Sequence, residues 1–465
     1  MNIENIRDLW QNLYKNVPTQ LEKIKEIKSA ATGFNTNIDA VLKISGTKLK
    51  KLVKDYNLSI SDIENINQIN TPTDVVLGVI KCFSRGIAEE WVTEDKSVYD
   101  WMAQNLGYDR LQMGGQGGII ANIMALLQIQ KVVVHTNSHP KLQAEQFFDL
   151  DNLFALNENG ELQKATSVSR DKDIPLIHWI IEFDKGDSFS VEGKEFVCPK
   201  SNRFIVTYDP LNLNLLIDKN FITYLNRESV EYLVLSGFHP LLERKNGVEL
   251  IKNAVPLIKK WQQNNPHMIT HLEIASTQDL AVRKAIADYI APLVQSAGLN
   301  ERETIDMLNV CDNKNLAQKI EKETNAVNLF EALWYLKNRW DIPRLQLHMF
   351  GLYLTLQDER FPYSASANLR GMMTAAVVSS AKAYNGALQN YEDITATLGF
   401  PPSDIGLTEL TNLAQKLNKP ELAETGVCQI DNVCISAVPT ILVNKPKTLV
   451  GMGDTISSVS LLAGR

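Results

Sequence analysis

Cysteine is scarce in this sequence, and its spacing offers nothing to a disulfide framework or a zinc site. Five cysteines are scattered over 465 residues, and no CxxC pair occurs. A disulfide-stapled fold needs more closely spaced cysteines, and a zinc knuckle needs paired ones, so neither is predicted. Reduced thiols in a cytoplasmic protein are the simplest interpretation.

The sequence also lacks an excess of basic residues and any long apolar run. Lysine and arginine number 47 against 54 acidic residues, which gives a formal net charge of −7. A nucleic-acid partner would favour a basic face, so none is expected, although a local basic pocket can still hold a small anion. No run approaches the length of a membrane span, and the polar amino-terminal segment does not resemble a signal peptide. We therefore expect a soluble cytoplasmic protein with no membrane partner, either a monomer or a small homo-oligomer.

Short β-rich runs alternate with helical patterns along most of the chain. A helix is predicted over residues 3–29, and β-rich runs occupy residues 131–136, 231–238 and 268–276. The last two runs are each followed by a helical pattern. This alternation predicts an α/β fold with a mostly parallel sheet flanked by helices, whose ligands lie beyond the carboxyl ends of the strands.

A different texture appears between residues 166 and 210. Apolar and polar residues alternate there, as in strands with one face in water, and residues 71–109 are predicted to be helical and to cover that sheet. We interpret this region as a small sheet that forms a lid over the main fold. The predicted boundaries place residues 1–33, 110–165 and 211–465 in the large domain, and residues 34–109 and 166–210 in the lid.

Two motifs are suited to a polyhydroxy ligand. In MGGQGGIIAN, which begins at Met113, glycines surround Gln116 at the entry to an apolar helix, where exposed amides can approach a ligand. In FNTNID, the side chains of Asn35, Asn37 and Asp39 occupy alternate positions and share one face. Each motif also fits a purely structural role, as a tight helix entry and as an Asx-type turn. No GxxxxGK[ST] pattern occurs, so a P-loop is excluded.

Two further motifs each contain a carboxylate that is a candidate for holding magnesium. HLEIAS places His271 and Glu273 on one face at the end of a predicted strand. A transition-metal site would need a third ligand, and none lies nearby in the sequence. The favoured interpretation is therefore a carboxylate that touches Mg²⁺ through water. NERE contains Asn300 and Glu303 in an NxxE pattern. This spacing suits a carboxylate that helps to hold a magnesium–phosphate shell, but it is more often that of a helix-capping pair.

The last motif, GMGDTISS, lies at the end of the chain. Gly451 and Gly453 allow a sharp turn whose N–H groups point into one concavity at a helix start, where phosphoryl charge would be stabilised. Asp454 is either a helix N-cap or a base that takes a proton from an attacking hydroxyl.

These motifs occur in the order found in ADP-dependent sugar kinases, and the chain resembles the glucokinase and phosphofructokinase group of the ribokinase-like superfamily. The resemblance extends from Asn35 to Ser458 and includes IHWIIEF and NRFI. It implies a Rossmann-like large domain, a smaller β-sheet lid that closes on the sugar, ADP as the phosphoryl donor, AMP as a product and Mg²⁺ as the cofactor.

The resemblance also implies a role for each motif. Asp454 would be the general base, and Gly451 and Gly453 would form the anion hole. Glu273 and Glu303 would organise Mg²⁺ around the diphosphate. The sugar would face Asn35, Asn37, Asp39, Gly114, Gly115 and Gln116. The nucleotide pocket would include His348, Val438, Pro439 and Thr440.

One departure from the family pattern and one conflict remain. The family commonly has GGQAGI or GGQVGI, whereas this chain has Gly117 followed by Gly118. Glu89, or Glu90 after a one-residue shift, matches the acid that contacts glucose in the family and would repel a sugar phosphate.

In the opposite direction, Arg203, with Lys172 or Lys185, would hold a phosphate group. Glucose, fructose 6-phosphate and both together stay open as substrates. An ATP-dependent sugar or nucleoside kinase and a catalytically silent sugar- or nucleotide-binding regulator are the alternatives. The ordered motifs disfavour the first, and the intact acidic residues disfavour the second.

Overall fold

A computed structural model describes residues 3–465, apart from the side chains at positions 64 and 65. Its strands are β1 (Ala30–Gly33), β2 (Asn37–Lys43), β3 (Glu89–Val92), β4 (Arg110–Gly114), β5 (Val132–Val134), β6 (Leu153–Leu156), β7 (Leu162–Lys164), β8 (Ile177–Phe183), β9 (Ser188–Val191), β10 (Lys194–Val197), β11 (Asn202–Thr207), β12 (Tyr232–Leu235), β13 (Ile269–Glu273), β14 (Ser296–Leu299), β15 (Arg344–Met349), β16 (Leu352–Gln357), β17 (Val427–Ile430) and β18 (Val433–Pro439).

Helices connect these strands. They are α1 (Ile3–Tyr14), α2 (Val17–Ile24), α3 (Gly46–Asp55), α4 (Ile60–Asn65), α5 (Pro72–Arg85), α6 (Lys96–Asn105), α7 (Gln116–Leu126), α8 (Lys141–Ala144), α9 (Lys219–Arg227), α10 (Gly247–Asn264), α11 (Leu280–Ala285), α12 (Glu301–Val310), α13 (Lys314–Lys322), α14 (Ala326–Trp340), α15 (Ala365–Asn385), α16 (Asp404–Lys416), α17 (Pro420–Thr425) and α18 (Met452–Ala463). None of the helices in the described part of the chain is long and apolar enough to span a membrane.

The larger of the two main sheets has eleven strands in the order β17-β18-β16-β15-β14-β13-β12-β1-β5-β6-β7. The strands from β15 to β6 run parallel, and antiparallel strands complete both edges. Central strands such as β1 and β12 are buried along their whole length, as parallel strands covered on both faces must be. The α/β class expected from the sequence is therefore confirmed.

A second sheet has five strands in the order β3-β11-β8-β2-β4, and its apolar side chains form a core separate from that of the large sheet. Its members include β4, which pairs antiparallel with β2. Residues 110–114 thus lie in the small sheet, although the sequence boundaries assign them to the large domain. The reason is that the chain leaves the small sheet only at the glycines that precede α7.

Three local expectations differ from the structure. The opening helix is broken, because Pro18 stands in the first turn of a new helix, and the chain becomes a strand at Ala30. The region 71–109 is interrupted by β3, which pairs parallel with β11. The hairpin β9–β10 forms a two-stranded sheet of its own instead of extending the five-stranded one.

Candidate active site

A polar cavity of about 260 Å³ lies between the small sheet and the carboxyl end of the large one. The small sheet contributes side chains from β2, β3, β8 and β11, and the large domain contributes the starts of α7 and α18 and the segment after β12. Its polar lining consists of Asn35, Asn37, Asp39, Glu90, Gln116, His178, Arg203, Thr207, Asp209, Asn212, His239 and Asp454. The cavity thus brings together the amino-terminal and carboxyl-terminal motifs of the sequence.

The amide and carboxylate groups of β2 form one wall of this cavity. Asn37 Nδ2 donates to Asp39 Oδ1 at 3.0 Å, and a Cβ atom on Gly114 would lie 2.2 Å from the same oxygen, so glycine is needed behind this pair. Burial raises the pKa of Asp39 to about 6. The side-chain oxygen of Asn35 is buried without a hydrogen-bond partner among the described residues, which suits a ligand hydroxyl.

His178 and Asp209 form a buried pair next to Asp39, since His178 is the register partner of Asp39 on the neighbouring strand β8, and the sequence reasoning missed both. His178 Nε2 lies 3.0 Å from Asp209 Oδ2, which also accepts from Asn212 Nδ2 at 2.6 Å. Burial alone would lower the pKa of His178, but the bond to Asp209 and the nearby acids raise it above its usual value. Because His178 lines the cavity, this shift favours a protonated imidazole more than burial alone would.

Of the two neighbouring glutamates in β3, Glu90 lines the cavity and Glu89 does not. Glu90 Oε1 accepts from Thr207 Oγ1 at 3.0 Å, whereas the Glu89 carboxylate lies 3.5 Å from Lys81 Nζ. Successive residues of a strand point to opposite faces, so only one of the two can face the ligand. The residue named first from the sequence, Glu89, is thus placed on the wrong face, and the one-residue shift gives the side chain in the cavity.

Gln116 connects the polar cavity to the carboxyl-terminal helix α18. Its Nε2 donates to Asp454 Oδ1 at 3.0 Å, and its Oε1 accepts the N–H of Gly237 at 3.4 Å. The side chain reaches this position because Gly115 adopts φ +72°, and a Cβ atom there would lie 2.6 Å from the carbonyl oxygen of Asn35. The glycine-rich loop therefore orients an amide onto Asp454.

Asp454 lies in the first turn of α18, but it is not the N-cap. The N-cap is Gly451, in the left-handed region at φ 60°, and the Asp454 side chain is bonded to Gln116 instead of the helix backbone. Burial raises the pKa of Asp454, and the Gln116 bond and Lys382 oppose that shift. The first amides of a helix have no partner within it, so those of α18 are available to an anion.

Two further carboxylates stand next to this helix start. Glu273 ends β13 and is 3 % exposed, and Glu303 lies buried in the first turn of α12. Burial and the charges of Asp454 and Glu303 raise the pKa of Glu273 well above its usual value. Burial chiefly, and Asp454 among nearby acids, raise the pKa of Glu303 to about 8. Three mutually repelling acids in one buried place favour the approach of a cation.

The helix-capping role that the sequence suggested for the NERE motif is present in the structure. Asn300 Oδ1 accepts the N–H of Glu303 at 2.9 Å, and Glu303 Oε2 accepts the N–H of Asn300 at 2.8 Å. This capping box fixes one oxygen of Glu303 and holds the carboxylate in a defined orientation. The capping role and a role in the site are thus compatible.

A family model settles the relationship of the chain to known proteins. The model described as "ADP-specific Phosphofructokinase/Glucokinase conserved region" matches residues 28–463. The chain belongs to this family. The resemblance drawn from the ordered motifs is confirmed.

Curated members of the ADP-specific phosphofructokinase/glucokinase family align over nearly the whole chain. An ADP-dependent glucose/glucosamine kinase of Pyrococcus abyssi is 30 % identical, and the alignment covers 98 % of this chain and 98 % of that protein. An ADP-specific phosphofructokinase of Methanosarcina acetivorans is 29 % identical, with 95 % and 94 % covered. The names of these two relatives thus include both a glucose/glucosamine kinase and a phosphofructokinase.

Solved structures of the family share the fold. The last common ancestor of ADP-dependent phosphofructokinases from Methanosarcinales gives a TM-score of 0.84 at 29 % identity, covering 100 % of this chain and 99 % of that one. An ADP-dependent kinase in complex with fructose-6-phosphate and ADPβS gives 0.82 at 28 % identity, with 100 % and 98 % covered.

The residues assigned to the nucleotide pocket lie in two places. His348 is buried beside the acidic cluster, with Nε2 3.9 Å from Glu273 Oε1, and burial lowers its pKa to about 4. Val438, Pro439 and Thr440 are buried at the end of β18 and line neither the polar cavity nor the groove next to them. That groove, of about 870 Å³, is bordered by residues 400–405 and 442–445.

Of the three cationic side chains considered for a sugar phosphate, only Arg203 lines the cavity among the described residues. Lys172 and Lys185 are exposed elsewhere on the surface. The doubled glycine that departs from the family pattern has a local explanation. The differing position is 117, where the N–H donates to the Asn35 carbonyl oxygen at 2.9 Å and an added Cβ atom would lie 2.9 Å from that same oxygen, so this backbone arrangement favours glycine.

Proposed function

We propose that this protein transfers the β-phosphoryl group of ADP to a hydroxyl group of a hexose or hexose phosphate and releases AMP. The observation that carries the proposal is the Gln116–Asp454 hydrogen bond, which joins a cavity lined by hydroxyl-binding groups to a helix start suited to phosphate. The sugar oxygen attacks the β-phosphorus, the bond from that phosphorus to the bridging oxygen breaks, and AMP leaves with that oxygen. Asp454 accepts the proton of the attacking hydroxyl.

The side chains of the cavity position the sugar for this attack. Asn35, Asn37 and Asp39 offer amide and carboxylate groups to vicinal hydroxyls, and His178 stands beside Asp39 on the neighbouring strand of the same sheet. Gln116 holds Asp454 in a fixed rotamer, so the base points at the hydroxyl that reacts. The separate core of the small sheet supports its role as a lid, whose closure would exclude water from the transfer.

The backbone amides at the start of α18 receive the transferred phosphoryl group. Gly451 supplies the left-handed turn, and a Cβ atom on Gly453 would lie 3.0 Å from His348 Nε2 and 3.3 Å from Glu273 Oε1. Both glycines thus keep the phosphate path free of side chains. The groove beside β18 is the proposed place for the nucleotide base, with Thr440 behind its wall.

Glu273 and Glu303 fit a magnesium ion that is bound together with the diphosphate. Carboxylate oxygens are the protein ligands that Mg²⁺ prefers, and it usually takes only one or two of them along with phosphate oxygens and water. The described residues contain no group of three or more His, Cys, Asp or Glu side chains that could hold a metal ion alone, so the diphosphate would complete the shell. When bound, Mg²⁺ supplies neutralisation of the charge on the phosphates.

The function is tested by a matrix of two donors and three acceptors. ADP and ATP are each assayed with glucose, fructose 6-phosphate and a pentose phosphate, and AMP or ADP release is measured by a coupled assay. We expect turnover with ADP and at least one of the two hexoses. Turnover with ATP only would favour the ATP-dependent alternative, and no turnover with any pair would favour a silent binding protein.

The choice between glucose and fructose 6-phosphate is expected to depend on two oppositely charged side chains of the cavity. Glu90→Gln should lower kcat/KM for glucose about tenfold or more, because a hydrogen bond from a hydroxyl to a carboxylate is lost. Arg203→Ala should lower kcat/KM for fructose 6-phosphate by a similar factor and spare glucose.

Glu89→Gln is the matched control, since it makes the same change one residue away on the opposite face of β3. It should leave both substrates unaffected. Equal losses for both sugars in the Glu90 and Arg203 variants would contradict this assignment.

A further inference from the structure

Lys382 is a half-buried cation in the last turn of α15, next to the start of α18, and no step described above uses it. Its Nζ donates to the carbonyl oxygen of Gly451 at 3.1 Å and to Thr455 Oγ1 at 3.1 Å. Both acceptors are uncharged. An ammonium group that is partly withdrawn from water and bonded only to neutral groups costs free energy, which favours a role for its charge or its geometry at this position.

The geometry concerns the Gly451 carbonyl group, on which three donors converge. Besides Lys382, the N–H of Thr455 donates at 3.1 Å and the Thr455 hydroxyl donates at 2.8 Å. A trans peptide plane points its N–H opposite to its carbonyl. Fixing this carbonyl therefore fixes the N–H of Met452, which points out of the helix start toward an anion.

The charge concerns Asp454, which is two residues into the same turn. Lys382 lowers the pKa of Asp454 against the effect of burial, and Asp454 in turn opposes the lowering of the Lys382 pKa, which burial brings to about 8. The other titratable groups facing Asp454 are Glu273 and Glu303, and the buried His348 lies behind them with a pKa of about 4. Within this described cluster, Lys382 is thus the cation that favours an ionised base.

We propose that Lys382 is a positioning residue for phosphoryl transfer, whose ammonium group holds the Gly451 carbonyl and Thr455 and thereby orients the first amides of α18. The inference rests on the proposed function, because it assumes that Asp454 is the base and that the amides receive phosphate. It adds a residue from a helix that contributes no other group to the chemistry.

The test uses the full-length protein with Lys382→Met and Lys382→Arg. In Lys382→Met we expect kcat to fall about 10- to 100-fold, since amides are misaligned but not removed, while the KM for the sugar changes little. The acidic limb of the kcat profile should move to higher pH by about one unit, because the Asp454 carboxylate loses a nearby positive charge.

Lys382→Arg separates charge from simple packing. Arginine stays protonated at every accessible pH. An alkaline limb near pH 8 in the parent protein, which reflects loss of the Lys382 proton, should therefore be absent in this variant. Thr455→Val removes one acceptor and leaves the charge, so it should lower kcat a few fold without moving either limb.

Lys447→Met is the matched control. Lys447 lies beside the same end of α15, where its N–H donates to the Ala383 carbonyl oxygen, but its side chain is exposed over the Tyr384 ring. This variant should match the parent in kcat and pH profile, and melting curves check that all variants are folded.

Unmoved pH limbs in folded Lys382→Met, or parent-like kcat, would overturn the role of Lys382. If Lys382→Met does not fold, Lys382→Arg becomes the deciding variant. An alkaline limb of its kcat profile that is unchanged from the parent would then overturn the role of Lys382. The activity of Asp454→Asn distinguishes failure of the proposed function from failure of the role assigned to Lys382. If that variant stays active, the proposed function fails; if it is inactive while the Lys382 variants resemble the parent, only this inference fails.

Discussion

Replacing Asp454 by asparagine is expected to reduce kcat about 10³-fold while the KM for the sugar stays within a few fold of the parent value. General-base catalysis typically contributes 10² to about 10⁴ in rate, and an amide cannot accept the proton of the attacking hydroxyl. Gln116 can still donate to the new side-chain oxygen, so the position of the side chain should be retained. A loss in kcat without a loss in binding is the signature of a group that acts in the transition state.

Stability supplies an independent check on this variant. The pKa of Asp454 is raised in the folded protein, so its ionised form at neutral pH costs stability that the protonated form does not. That cost is absent at pH values below the unfolded pKa and grows as the pH rises above it. Asp454→Asn should therefore melt at the same temperature as the parent or higher at pH 7, in scanning calorimetry.

Glu249→Gln is the control, because Glu249 also lies in the first turn of a helix, α10, but is exposed and lines neither the polar cavity nor the groove. It should leave kcat unchanged. A kcat within tenfold of the parent in folded Asp454→Asn would contradict the base assignment, and unfolding would reduce Asp454 to a structural role.

The sequence predicted the site best where a motif carries its own geometry. The glycines around Gln116 require a helix entry with a close backbone approach, and the structure has Gly115 at φ +72° against the Asn35 carbonyl. Likewise, the alternation of Asn35, Asn37 and Asp39 is enough to place three side chains in one cavity. Such features depend on neighbours within a few residues, which a single sequence displays.

The sequence failed where a position depends on strand register or on distant partners. Nothing local distinguishes Glu89 from Glu90, because the facing residue is fixed only when β3 pairs with β11. His178 and Asp209 stand 31 positions apart and meet only in the folded cavity. Both could have been suspected from the polar residues at strand ends, but no spacing rule joins them.

Asp454 shows a third case, in which two interpretations of one residue were open and the fold bears on one of them. A cap and a base were alternative interpretations of the same aspartate. The left-handed Gly451 takes the capping position, so the aspartate side chain is free to bond Gln116. The glycine needed for the turn thus releases the acid for chemistry, which remains the proposal tested above.

Replacing Glu273 by glutamine is expected to lower kcat about 100-fold and to raise the Mg²⁺ concentration needed for half-maximal rate. Glutamine keeps the shape of the side chain but removes the negative charge that would balance the metal ion near the phosphates. Burial and the repulsion from Asp454 and Glu303 already raise the pKa of Glu273. Without a cation nearby, the ionised carboxylate therefore destabilises the folded protein. The variant should consequently be folded and melt no lower than the parent.

Calorimetric titration of ADP with and without Mg²⁺ separates metal binding from turnover. In the parent protein Mg²⁺ should tighten ADP binding, and in Glu273→Gln that gain should shrink while binding of ADP alone weakens little or improves, since one repelling charge is gone. Glu301→Gln is the matched control, because Glu301 shares the first turn of α12 with Glu303 but accepts the N–H of Phe350 at 2.6 Å. An undiminished Mg²⁺ effect in folded Glu273→Gln would remove Glu273 from the metal site and leave Glu303 as the remaining candidate.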